Sequence, residues 1–140
     1  MSPFSHFLHE LRMRRGVRQA ELAEMTGYEQ SYISALEVGL KGPPTEEFVE
    51  KLIEALDLPP DQATEARAVA DASERKLVLD KDCPPDLYWM LKDMREHLKH
   101  LHPRHIKMIR DVLEMAGEFP ARQPEVPRRL PRRRQEEAPM

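Results

Sequence analysis

The chain has 140 residues with 22 basic and 25 acidic side chains, a formal net charge of −3. That length suits one domain, or one small domain with appendages; charged residues at 34% and no apolar run near the roughly 18 residues of a membrane span exclude a membrane-embedded chain. The start Met-Ser-Pro-Phe-Ser lacks the basic opening and apolar centre of a secretion signal, and the single Cys83 excludes an internal disulfide, so a cytoplasmic location is expected.

Phe7, Leu8 and Leu11 form one apolar stripe and predict a first helix over residues 5–15, ended by Gly16. A second helix is expected over Gln19–Thr26 and a third over Gln30–Val38. Between them Gly27 can take the positive φ that a tight turn needs, and Ala23 is small enough to let the third helix approach. Leu22, Ile33 and Leu36 can then meet underneath. Residues 39–44, Gly-Leu-Lys-Gly-Pro-Pro, are rich in helix breakers. Thr45 caps a fourth helix, with Glu46 and Glu47 in its positive first turn and a core face of Phe48, Val49, Leu52, Ile53 and Leu56. Pro59-Pro60 stops it, and residues 61–75 predict a fifth helix with Ala63, Ala66, Val69 and Ala70 turned inward.

Residues 19–36, Q-A-E-L-A-E-M-T-G-Y-E-Q-S-Y-I-S-A-L, resemble the helix-turn-helix of Cro and lambda-repressor (XRE) type regulators, and the likeness extends more loosely over residues 4–59. It implies an all-α, five-helix DNA-binding domain, assigned here to residues 1–76, and a transcriptional regulator that acts by covering a promoter. In such a protein the third helix enters the major groove. With Ile33 and Leu36 inward, Gln30, Ser31, Tyr32, Ser34 and Ala35 are its candidate readers. Gln30 can bond an adenine edge in two places, the serines are versatile but weak, Tyr32 could meet a thymine methyl or a phosphate, and Ala35 could sit against a thymine methyl. Gln30-Ser31 and Ala35-Leu36 match lambda-type repressors. Glu29 and Glu37 depart from a strongly binding pattern, and no cation on this helix is available for a guanine. Gln19 can donate to a phosphate at the start of helix two; in the family its equivalent also braces a polar residue at the start of the recognition helix, which here is Gln30. Lys41 lies where the family grips phosphate, although a solvated loop lysine is an equal reading, and Arg15 and Arg18 carry the same ambiguity.

Charge is unevenly spread. Residues 1–70 hold 7 basic and 12 acidic side chains, residues 71–118 hold 9 and 10, and residues 119–140 hold 6 and 3. DNA binding depends on neutralising phosphates, so the clustering of Arg12, Arg14, Arg15 and Arg18 before the motif, with Lys41 after it, matters more than the sum. The acidic balance of the first 70 residues also motivates a second class of function, an antitoxin-like or antirepressor module that binds a protein partner through its acidic surface. No nucleophile–base pair, phosphate loop or carboxylate pair has a recognisable spacing, so no enzymatic activity and no cofactor are expected.

Leu77-Val78-Leu79 could add an edge strand or serve as an extended linker. After Pro84-Pro85, Leu87, Leu91, Met94, Leu98 and Leu101 are spaced 4, 3, 4 and 3, a heptad seam. His102-Pro103 breaks that helix and starts another, whose stripe is Ile106, Ile109, Leu113 and Ala116, with Gly117 as its C-terminal cap. Residues 77–118 therefore predict a helical hairpin with one apolar face. The seam could be internal core; a homodimer interface of Leu87, Leu91, Met94, Leu98, Leu101 and Ile109 is the favoured reading, since an operator of this class is two-fold. His97, His100, His102 and His105 crowd the helix junction without a recognised metal pattern, so no metal site is assigned. Residues 119–140, with five prolines and six arginines, read as a disordered tail that adds DNA affinity or only solubility.

Overall fold

The computed structural model describes residues 1–117, and every regular element among them is helical. The chain divides into a unit over Met1–Leu79 and a second that starts at Asp80. The expected tail at 119–140 lies outside the described residues.

In the first unit α1 spans Pro3–Arg15, two residues earlier than the apolar stripe suggested. Ser2 accepts a hydrogen bond from the Ser5 backbone N–H at 3.1 Å, and Pro3 occupies a first-turn position where its missing N–H costs nothing. The extra turn carries Phe4 into the core and buries Ser5, whose hydroxyl donates to the Leu36 carbonyl at 2.7 Å. Helices α2 (Gln19–Thr26) and α3 (Gln30–Val38) fall where expected, as does α4 (Glu46–Ala55), whose cap Thr45 accepts from the Phe48 N–H at 3.1 Å. Helix α5 spans Pro60–Asp71, shorter than the expected 61–75. Beyond it Ser73 is buried; its hydroxyl accepts from the Phe4 N–H at 2.9 Å and donates to the Val69 carbonyl at 2.6 Å, which closes the end of the domain onto its beginning.

One core joins all five helices. Phe4, Phe7, Leu8 and Leu11 of α1 pack with Leu22, Ile33, Leu36, Phe48, Leu52 and Ala66. Helix α1 lies against α3 and α5, and α2 against α3 and α4. The fully buried side chains are mostly aliphatic, and about 0.8 kcal/mol per buried methylene favours this packing over any open arrangement. Residues 77–79 form no strand.

In the second unit α6 spans Pro85–His97, a 3₁₀ turn covers Leu98–His100, and α7 spans Pro103–Ala116. None of these elements has a buried residue. Leu87, Leu91, Met94, Leu101 and Ile109 are half-buried, but Leu98 is 58% exposed. The α-helix closes at His97, and Leu98 opens the 3₁₀ turn that follows. Two of the four junction histidines form the cap of α7, with His102 Nδ1 accepting from the Arg104 N–H and His105 Nδ1 accepting from the His102 N–H, both at 3.1 Å.

Candidate nucleic-acid interface

Helices α2 and α3 meet through the residues the spacing singled out. Leu22 and Ile33 are completely buried, with Leu36 and Ala23 nearly so. Gly27 takes φ 78° and its N–H donates to the Ala23 carbonyl at 2.9 Å, which ends α2 and turns the chain into α3. Thr26 is buried at this corner, its hydroxyl donating to the Leu22 carbonyl at 2.7 Å. The corner is therefore fixed by both backbone and side chain, and the outward face of α3 is held at one angle.

On that face Gln30 and Ser31 are exposed and Ser34 and Ala35 are half-buried. Ser31 donates to the Glu29 carboxylate at 3.3 Å, which keeps that acid over the start of α3. Tyr32 is half-buried rather than outward: its ring stacks on Tyr28 with centroids 5.2 Å apart and meets the Phe48 edge at 5.3 Å. Lys41 is exposed, with Nζ 5.5 Å from the Tyr32 centroid, and Lys51 Nζ lies 5.3 Å from the Tyr28 centroid. This stack of two tyrosines between two lysines was not anticipated. The four-residue spacing of Tyr28 and Tyr32 was its only trace in the sequence.

Arg15 and Arg18 are exposed on either side of Gly16 and Val17, and Arg18 stands at the N-cap of α2. Arg12 is not part of that solvent-facing cluster. Its guanidinium turns inward, donating to the Glu37 carboxylate from Nε at 2.6 Å and from Nη2 at 3.2 Å, and to the Val17 carbonyl at 3.1 Å. Gln19 does not brace Gln30 as expected. Its Nε2 donates to the Glu37 carboxylate at 2.6 Å, a charged acceptor and so a stronger partner than a neutral amide. Glu37, an acid that departed from the binding pattern, thus joins α1, α2 and α3 below the motif. Burial pushes its carboxyl up, but hydrogen bonds from Arg12 and Gln19 and the charges of Arg12 and nearby His9 outweigh that and hold it below the ordinary carboxylate range.

No set of three His, Cys, Asp or Glu side chains suited to a metal exists among the described residues, and no described helix is long and apolar enough to cross a membrane.

A tight two-helix corner at Gly27, a partly buried α3 and cations beside them are what a helix-turn-helix requires. Residues 3–66 match the family model described as "Helix-turn-helix domain". Over this region the chain is therefore similar to a helix-turn-helix domain. Among solved structures it is similar to one titled "SinR protein/SinI protein complex", at 17% sequence identity and a TM-score of 0.40, covering 83% of this chain and 99% of that one. No curated protein sequence matches the chain.

Proposed function

We propose that the chain is a sequence-specific transcriptional repressor that binds promoter DNA as a homodimer and reads the major groove with α3. One observation carries this reading. Ile33 and Leu36 anchor α3 in the core, whereas Gln30 and Ser31 stand exposed at its N-terminal end, the end that meets base edges in this motif. Gln30 offers an amide donor and acceptor that match adenine N7 and N6; Ser34 and Ala35 flank the contact as minor partners. Arg15, Arg18 and Lys41 supply phosphate contacts that fix register without reading sequence. Gln19 acts through its backbone position at the start of α2, where unpaired N–H groups favour an anion, while its side chain stays with Glu37.

The dimer completes the reading. A two-fold operator needs two copies of α3 about 34–36 Å apart, and the second unit offers half-buried apolar side chains, Leu87, Leu91, Met94, Leu101 and Ile109, for a second subunit. Selection of bound duplexes from a random pool, followed by footprinting, tests the proposal. A two-fold sequence protected on two successive major-groove faces is expected. Recovery of unenriched random sequence would overturn it.

A specific surface favours a second reading, a protein-binding module. The groove between α4 and α5 is lined by Glu46, Glu50, Asp71 and Glu74, and its one lining cation, Arg67, is paired with Glu50 at 2.8 Å. That groove suits a basic partner. A folded chain with no salt-dependent affinity for duplex DNA would support this reading over the first.

A further inference from the structure

Tyr32 lies on α3 beside the proposed readers, yet its ring is held by the body of the domain. Tyr28, just before the helix, stacks on it, and Phe48 of α4 stands edge-on to the two rings at 5.1 and 5.3 Å between centroids. Phe48 is completely buried, so the tyrosine pair is fixed to the core. Lys41 Nζ lies 5.5 Å from the Tyr32 centroid, within the range of a cation–π contact. The backbone end of Lys41 is fixed as well. The Leu40 and Lys41 N–H groups donate to the Ala35 carbonyl at 2.9 and 3.2 Å, which folds the loop back on the last turn of α3. Both ends of this side chain are therefore tied to the proposed reading helix.

The kind of hold matters. Lys51, Lys92 and Lys107 pair with carboxylates at 3.1, 2.6 and 3.5 Å, which largely cancel their charge, whereas Lys41 pairs with none among the described residues. At the far end of the stack Lys51 covers Tyr28, but Glu47 neutralises it. The stack thus carries an uncompensated cation at its Lys41 end. A ring face attracts an ammonium through its quadrupole without neutralising it, and leaves N–H donors for another acceptor. A loose lysine stem loses rotamer freedom when it grips a phosphate, and one held beforehand loses less. We propose that Tyr32 is a positioning residue, whose ring presents Lys41 to a backbone phosphate beside α3 and reads no base itself. This rests on the DNA-binding reading above and gives Tyr32 its part in the phosphate grip.

Proton NMR of the free full-length chain tests the geometry, and affinity for duplex DNA tests its use. In the wild type the Lys41 methylene protons next to Nζ should resonate upfield of their position in the urea-unfolded chain. Tyr32→Phe should keep that shift and Tyr32→Leu should lose it. An unshifted Lys41 in the folded wild type would overturn the proposal, whatever the variants do. On the selected and the random duplex alike, Tyr32→Leu should weaken affinity by about twofold to fivefold, and phenylalanine at this position should rescue it. In a Lys41→Ala background, Tyr32→Leu should cost nothing further; circular dichroism verifies helix content throughout. Loss confined to the selected duplex would make Tyr32 a base reader, and equal loss with and without Lys41 would make it a packing residue. Either result overturns the proposal. If Lys41→Ala leaves affinity and salt slope unchanged, Lys41 touches no phosphate, and the proposal falls while base reading by α3 stands. A wild-type chain with no affinity for any duplex would remove the DNA-binding reading and this proposal with it.

Discussion

Arg12→Met should unfold the first unit far more readily than the loss of one surface charge would. Glu37 is 5% exposed and accepts three hydrogen bonds, two of them from Arg12 at 2.6 and 3.2 Å and one from Gln19 at 2.6 Å. Methionine keeps the apolar stem of residue 12 but leaves a buried carboxylate with only the Gln19 amide and, at 3.8 Å, the half-exposed His9 imidazole. Removing one partner of a buried ion pair costs about 3–5 kcal/mol. We take the lower end, about 3 kcal/mol, because Gln19 and His9 remain. In a domain of this size about 1 kcal/mol moves the midpoint by roughly 4–8 °C, so a fall of roughly 12–24 °C is expected. Adding Glu37→Gln removes the stranded charge and still offers Gln19 an acceptor, so the double variant should lie within about 1 kcal/mol of the wild type. Thermal and urea unfolding of the full chain at pH 7, followed by circular dichroism, gives both values. Equal destabilisation of the single and double variants would refute the reasoning, since it would place the cost in the packing of residue 12 and not in the buried charge.

Glu37 also sets a pH dependence. Its folded pKa lies below the unfolded value, so its contribution is present above the unfolded pKa and is lost as the pH falls through the carboxylate range toward the folded value; an acid titration of stability should show this loss below about pH 5, and Glu37→Gln should remove that component. Replacing Arg15, Arg18 and Lys41 together with alanine should flatten the plot of log affinity against log salt by up to roughly three units, and an unchanged slope would show that they do not reach phosphate. Phe4→Ala, at a side chain 1% exposed and in contact with the Phe7 and Phe48 rings at 6.2 and 6.3 Å, should cost about 3–5 kcal/mol in the same unfolding assay; a cost below about 1 kcal/mol would contradict its place in the core.

The corner of α2 and α3 was legible because its determinants are local: the size of Ala23, the handedness available to Gly27 and the helical spacing of Leu22, Ile33 and Leu36. Thr45 was equally readable as a cap. The start of α1 had a usable signal in Ser2-Pro3, which the stripe beginning at Phe7 obscured. The end of α5 did not, because Ser73 acts through a bond to Phe4 that spacing cannot reveal. Gln19 and Glu37 show a different limit. Their contact joins residues 18 apart on separate helices, and a side chain with two possible partners goes to the one buried with it. The position of Tyr32 on α3 suggests an outward side chain, whereas Tyr28 and Phe48, on neighbouring segments, hold its ring.

The central claim is that Gln30 and Ser31 read bases. Its most direct test is the affinity of wild type and of Gln30→Ala/Ser31→Ala for the selected duplex and for a random duplex of equal length, at one fixed salt concentration. The account predicts a loss of several-fold to about a hundredfold on the selected duplex, from roughly 1–3 kcal/mol per good base contact, with little change on the random one. Equal loss on both duplexes would contradict it.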